Sequence, residues 1–279
     1  MLQADRRAAL VAPHQSAMAD TTYTHGHHES VLRSHRWRTV ENSAAYLLPH
    51  LRPGVRLLDV GCGPGSITAD FARRVGPGTV LGVDASADVI AEAQRDHPDV
   101  SFAIGDVYRI DVPDGSYDIV HAHQVLQHLS DPVAALTDMR RVVRPGGIVA
   151  VRDSDYGSFT WHPADDRLVR WLELYRAIAR SNGGEPDAGR RLLSWAQQAG
   201  FSRITSSASA WCFATPEDRT WWGGLWADRM TQSAIAQQAV RDGRATEADL
   251  AALADAWRTW AAREDGWFAV LHGEIIAVR

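Results

Sequence analysis

The amino-acid sequence predicts a doubly wound α/β fold on a mostly parallel sheet, and three observations carry that prediction. Residues Arg56 to Ser66 read RLLDVGCGPGS, an apolar run that stops at Asp59 and breaks into glycines at positions 61, 63 and 65. Leu57, Leu58 and Val60 fit a buried strand, and the glycines fit a sharp turn lying close to a ligand. Ser66-Ile67-Thr68 then opens a helix whose first amides point back at that turn. Secondly, five apolar runs alternate with helical patterns up to Arg152, the arrangement of successive βαβ units. Thirdly, acidic residues close the second and third runs, Asp84 and Asp106, where open α/β sheets bind ligands. A strand, a glycine turn and a helix N-terminus in this order make a nucleotide-type cofactor site.

With 279 residues, 45% of them hydrophobic, the chain can bury a substantial core without metals or disulfides as staples. Two cysteines, Cys62 and Cys212, form at most one bridge, and Cys62 lies inside the glycine turn, where its small side chain is the simpler explanation. A reducing, cytoplasmic location is expected. The net charge of -5 provides no basic footprint for nucleic acid, and all 29 basic residues are arginines, which excludes a Schiff-base lysine. No apolar run is long enough to span a bilayer, and residues 1–20 lack the apolar core of a signal peptide.

Taken in order, residues 1–22 carry no period and are expected to be a mobile extension. Residues 23–52 are expected to form a helical lid. Its YTHGHHESVLRSH stretch holds His25, His27, His28 and His35 but lacks an i,i+4 histidine pair with a following carboxylate ligand, so lining or capping a site is favoured over binding metal. A helix is expected from Arg36 to Leu51, with Trp37, Val40, Ala44, Leu47 and Leu48 on one face. Residues 53–279 form the main domain. After the helix from Ser66 to Val75 come a strand at 79–83, a helix to Asp96, strands at 100–104 and 117–122, a helix from Pro132 to Val143 behind the Asp131 cap, and a strand at 148–152. Asp84 follows Asp59 at close to the roughly 20-residue offset at which a carboxylate meets a ribose diol. The acceptor-only carboxylate of Asp106 suits an exocyclic amino group.

Beyond Arg152, DSDYGSFTWHP reads as a polar-aromatic loop in which Asp153, Asp155 and Tyr156 are candidate substrate contacts. Helices are expected at 165–181 and 187–199, and a sixth strand at 204–213. Residues 216–265 form a helical insertion with Trp221, Trp222, Trp226, Trp257 and Trp260, read equally as core packing or as the aromatic wall of a cavity. Trp221 and Trp222 are the substrate-facing candidates. Gly266 to Val278 closes the chain as a strand.

These residues resemble the class I S-adenosylmethionine-dependent methyltransferases, and within them the group of quinone-biosynthesis and small-molecule methyltransferases. The likeness is carried by LLDVGCGPGS, LGVDAS, the GDV at 105–107, YDIVHAHQVLQHL and VVRPGGIVAVRDSDY, in this order over residues 50–156. It implies a Rossmann-like sheet of seven strands in the order 3-2-1-4-5-7-6, the last antiparallel. It implies that Gly61 and Gly63, with Cys62 between them, hold the methionine end of the cofactor, that Asp59 orients the turn or the amine, and that Asp84 takes the ribose hydroxyls. Gly105 is a further cofactor-binding position, Asp106 meets the adenine amino group, Ala85 and Val107 flank the ring, His123 and Gln124 line the methionine end, and Tyr23 and Trp37 close over it.

Methyl transfer from a sulfonium is an in-line displacement that positioning and desolvation can accelerate. His128 is the candidate base should the acceptor arrive protonated. The expected partner is a small-molecule acceptor, flat or partly apolar, with no nucleic acid, and the chain is expected to be a monomer or homodimer. Two alternatives stand beside this reading. One is a cofactor-binding regulatory protein without catalysis; the other is a nicotinamide-dependent oxidoreductase, whose fingerprint wants glycine or alanine where Ser66 stands.

Overall fold

In the computed structural model, which describes residues 34–279, the strands are β1 (Leu57–Val60), β2 (Val80–Asp84), β3 (Ser101–Ile104), β4 (Tyr117–His123), β5 (Val143–Ser154), β6 (Thr160–His162), β7 (Arg203–Phe213) and β8 (Trp267–Val278). The α-helices are α1 (Val40–Ser43), α2 (Ser66–Val75), α3 (Ala87–Asp96), α4 (Pro132–Val142), α5 (Asp166–Ser181), α6 (Leu192–Gln198), α7 (Pro216–Gln232), α8 (Ala234–Arg241) and α9 (Glu247–Ala261). The strands make one sheet in the order β3-β2-β1-β4-β5-β8-β7. β8 runs antiparallel to both neighbours, and the remaining adjacent pairs are parallel. The three-residue β6 is an eighth strand beyond the expected seven; it pairs with Trp267–Ala269 on the edge of β8 that β5 uses further along.

The order reverses between β1 and β4, so the carboxyl ends of these two strands border the crevice where doubly wound sheets bind ligands. All four residues of β1 are buried, as a central strand covered on both faces requires. One face carries Leu47, Phe71 and Val75; the other carries Leu136, Met139 and Leu192 from α4 and α6.

The expected helix over 36–51 is broken. Thr39 is extended and caps α1 through Asn42, and Ala45–His50 is a 3₁₀ helix containing Pro49. Asn42 spends its side chain on the Thr39 amide and the Ser43 hydroxyl, local bonds that compete with a continuous helix, and proline cannot carry the α-ladder on. The expected helix over 187–199 likewise begins as a 3₁₀ turn, Ala188–Arg191, before α6. Gly189 lies against the Gly273 backbone there, and the Arg190 amide donates to the Asp155 carboxylate.

A separate core forms where α5, α7, α8 and α9 pack beyond the strand ends. Trp171, Trp226 and Trp257 are essentially fully buried in it, Trp171 lying edge-on to both of the others at 4.6 and 4.7 Å. α7 contains consecutive glycines with opposite surroundings. A Cβ on Gly223 would stand 2.8 Å from the Trp257 carbonyl oxygen and 2.8 Å from the Ala261 Cβ, whereas one on Gly224 meets nothing within 4 Å. Close approach of α9 therefore requires glycine at 223 but not at 224. Urea denaturation is expected to show Gly223→Ala destabilised by about 1–3 kcal/mol through overpacking. Gly224→Ala should instead gain about 0.5–1 kcal/mol of helix propensity.

Candidate functional site

The site grows from Asp59 at the end of β1. Its carboxylate is buried and accepts from the Thr68 hydroxyl of α2 at 2.6 Å, while its other oxygen meets His121 Nδ1 of β4 at 2.7 Å. Strand, helix and neighbouring strand are thus tied at the point where the chain turns. In the turn, Gly61 and Gly63 have φ of 66° and 56°, the left-handed region that side chains disfavour. A Cβ on Gly61 would also strike Val125 Cγ2 at 2.4 Å. The Gly63 amide donates to Asp84 Oδ2 at 3.0 Å, and the Ser86 amide donates to Asp84 Oδ1 at 3.0 Å. Each oxygen of this half-buried carboxylate so retains acceptor capacity toward the cleft.

The turn, the ends of β2 and β3 and the segment after β4 enclose a cleft of about 560 Å³. Asp59, Gly61, Cys62, Gly63, Asp84, Ala85, Gly105, Asp106, Val107, His123 and Gln124 all line it. The Cys62 thiol is pushed well above its ordinary value by burial, reinforced by the Asp59 and Asp84 charges, and both cysteines are free. His123 is buried, and among the described residues neither ring nitrogen has a hydrogen-bond partner. A neutral imidazole carries one donor and one acceptor, so both are open to a bound molecule or water. The cleft volume, the side-chain-free turn, the Asp84 acceptors and the open His123 nitrogens fit a nucleoside-type cofactor with a polar amino-acid end.

A second cavity, about 30 Å³ as it stands, is walled by Trp37, Trp211, Trp221, Trp222, Trp226, Phe159 and Tyr156. His35, Arg38, Gln124 and His128 line both it and the cleft, forming the partition between them. Gln124 has a φ of 54°, a strained conformation for a residue with a side chain. Its Oε1 accepts from Arg38 at 2.6 Å and its Nε2 faces His272 Nε2 at 2.8 Å. Burial first, and then the arginine charges, hold His123 and His272 well below the ordinary imidazole value. Burial, with the Arg38 charge, pushes His128 down to about 3.

Several candidates stand elsewhere than expected. Trp37 lies on the second cavity, not the cofactor cleft, packed on Trp211 and Trp221 at 5.2 Å each. β5 continues through Ser154, so Asp153 is inside the strand with no exposure; its Oδ1 accepts from the Gln127 amide, and burial pushes the carboxyl up to about 7. Asp155 is buried and held by Arg190 at 2.5 and 2.7 Å, away from both cavities. Tyr156 does line the second cavity, stacked on Tyr175 at 4.0 Å, as do Trp221 and Trp222. Trp257 and Trp260 belong to the helical core. Tyr23, His25, His27 and His28 fall outside the described residues.

Arg38, Gln127, Ser154, Trp211, Arg229 and His272 are site residues that sequence reasoning missed. Gln127 lies inside the HAHQVLQHL run and Ser154 inside the DSDY run, and both could have been flagged; Arg38, Trp211, Arg229 and His272 come from distant parts of the chain and carry no local signal.

Residues 58–151 match the family described as methyltransferase domain. An uncharacterised methyltransferase of Schizosaccharomyces pombe is 35% identical over 91% of this chain and 95% of its own length. The probable methyltransferase ltbC of Aspergillus luteorubrus is 29% identical over 91% of this chain and 96% of its own. The fold is shared with Haemonchus contortus phosphoethanolamine N-methyltransferase 2, solved with S-adenosylhomocysteine, at a TM-score of 0.52 and 19% identity over 86% of this chain and 53% of that one. The chain belongs to the S-adenosylmethionine-dependent methyltransferases.

The buried histidines make stability depend on pH. His123, His128 and His272 are neutral in the fold well below the unfolded value of about 6.5, so at lower pH the unfolded chain binds more protons and stability falls with acidification. Asp153, raised to about 7, works oppositely between about pH 4 and 7, because there the folded state holds the extra proton. The lowered histidines outnumber the raised carboxyl, so the net effect of acidification below about pH 6 is a loss of stability. Thermal melts from pH 7.5 to 5 should show the melting temperature falling, and falling more steeply in Asp153→Asn, which removes the opposing carboxyl.

Proposed function

We propose that the chain transfers the methyl group of S-adenosylmethionine to a small, flat, partly apolar acceptor held in the tryptophan-walled cavity. The observation that carries this reading is the partition: His35, Arg38, Gln124 and His128 border the cofactor cleft on one side and the aromatic cavity on the other. In this reading Gly61, Cys62 and Gly63 bring backbone to the methionine end, and Asp59 holds the turn. Asp84 accepts from both ribose hydroxyls, Gly105 and Asp106 meet the adenine amino group, Ala85 and Val107 flank the ring, and His123 and Gln124 face the methionine end. Bound S-adenosylmethionine supplies a methyl carbon made electrophilic by its sulfonium.

The protein's part is to align the two molecules and exclude water. The aromatic cavity has room for little more than a water molecule as it stands, so an acceptor enters as the outer rings swing aside. Trp37 and Trp221 are the less buried rings of the wall, whereas Trp211, Trp222 and Trp226 are fixed in the core. The aromatic lining favours a planar acceptor that stacks, with the polar partition meeting its reacting end.

Calorimetry should show S-adenosylhomocysteine binding to the wild type, with Asp84→Ala weakening it about 30-fold, the value of one charged hydrogen-bonding anchor; unchanged affinity would contradict the assignment. A labelled-methyl screen over metabolite extracts should yield labelled small molecules, with Trp222→Ala losing most of the transfer while retaining S-adenosylhomocysteine binding. Label appearing only in macromolecules would overturn the acceptor class.

A further inference from the structure

The two neighbouring glycines of α7 have different reasons to be glycine. Gly223 admits α9, whereas a Cβ on Gly224 would meet no atom within 4 Å, and the Gly224 backbone is not in the left-handed region that favours glycine. Helix propensity alone would place alanine there. A side chain on a helix covers the turn N-terminal to its own Cα, so one at 224 would lie over Thr220 and Trp221. The glycine keeps the space beside the Trp221 ring clear.

That space belongs to a groove on the molecular surface. Glu217, Trp221, Gly224 and Asp228 recur at helical spacing on one face of α7 and, with Pro216 and Thr220, border a groove of about 520 Å³. Pro216, Glu217 and Thr220 are exposed, so its outer end meets solvent. Trp221 borders both this groove and the aromatic cavity of about 30 Å³. One indole ring stands between a space too small for an acceptor and one large enough to take it. It is also a loosely held ring. Trp211 donates its indole N–H to the Asn42 carbonyl, and Trp222 stacks on Phe213 at 4.2 Å and 9°. Trp221 is half-buried and meets Trp37, Phe213 and Trp222 at tilts of 38°, 41° and 35°.

We propose that the α7 groove is an outer subsite for the methyl acceptor, with Trp221 as its gate and Gly224 as the clearance into which the ring swings. The proposal rests on the aromatic cavity being the acceptor site. It calls for an elongated acceptor: a flat head passes the ring and stacks beneath it, and the remainder lies along α7. Glu217 and Asp228 border the groove, and no cation does so among the described residues, so the outer part of the acceptor is neutral or positively charged. An anionic tail is disfavoured there.

Entry can be read without an identified acceptor. In the full chain carrying Cys212→Ser, Val270→Cys places a thiol on the lining of the aromatic cavity in a nearly isosteric change. S-adenosylhomocysteine saturates the cleft that holds Cys62, and peptide mass spectrometry follows modification of position 270 by methyl methanethiosulfonate. Trp221→Ala should speed that modification about tenfold, and Gly224→Trp, which fills the clearance, should slow it about tenfold, the scale of one packing contact removed or overfilled. Gly224→Ala should match the parent rate. Modification that is absent or unchanged in Trp221→Ala, unchanged in Gly224→Trp, or accelerated by Trp37→Ala alone overturns the gate.

Charge is read in the same protein. With each rate divided by that for free cysteine, aminoethyl methanethiosulfonate should modify position 270 faster than the sulfonatoethyl reagent; an equal or reversed order overturns the charge preference. Gly224→Trp should also lower labelled-methyl transfer from S-adenosylmethionine into metabolite extracts while leaving S-adenosylhomocysteine affinity unchanged, which separates a blocked groove from a misfolded chain. Undiminished transfer in Gly224→Trp overturns the subsite. The reading of the aromatic cavity fails separately, by undiminished transfer in Trp222→Ala.

Discussion

The site depends on one buried carboxylate. Asp59 sits where β1 gives way to the turn and holds Thr68 of α2 and His121 of β4 together. Its burial is offset by these two hydrogen bonds; neither partner alone satisfies both oxygens. From this anchor the chain runs directly into Gly61 and Gly63, and the Gly63 amide reaches across to Asp84 on the next strand. Three strand ends and one helix start are in this way locked into a single cleft floor, and a ligand meets a surface already in place.

Above that floor three histidines are held neutral. His123, His128 and His272 are held below the usual imidazole range by burial and by neighbouring arginines. The buried Arg152 pairs with Glu274 at 3.2 Å and lies 4.9 Å from the Trp211 ring centre, adding positive charge beneath the partition. The two glutamines then use these rings as acceptors. A set of side chains that in sequence suggests proton transfer becomes, once folded, a hydrogen-bonded frame between the cleft and the aromatic cavity. This agrees with chemistry in which alignment does more than acid–base exchange.

The aromatic core shows why the same residue type takes two roles. Trp257 and Trp260 lie on α9 and pack against Phe268 and α7, while Trp221, Trp222 and Trp226 on α7 also border the second cavity. Trp222 and Trp226 belong to the buried core and border the second cavity at once, whereas Trp257 and Trp260 belong to the core. Helical spacing alone assigns a residue to a face; which face looks onto a cavity depends on where α7 docks, and Gly223 sets that docking by admitting α9.

The sequence by itself determined the β1–turn–α2 unit, the acids at the ends of β2 and β3, the antiparallel last strand through its family resemblance, and the family itself. Most of these are short-range: alternate glycines at a strand end permit few backbone paths, and a strand end is where the next acidic side chain must stand. The break at Thr39, the burial of Asp153 inside β5, the capture of Asp155 by Arg190 and the placing of Trp37 on the aromatic cavity were decided only by the tertiary structure. So was the partition, because Gln124 meets His272 and Trp211 meets Trp37 across long stretches of chain. The orientation of the Gln127 amide beside His128 is likewise fixed from Ser154, a relation that becomes visible only when β4 and β5 lie side by side.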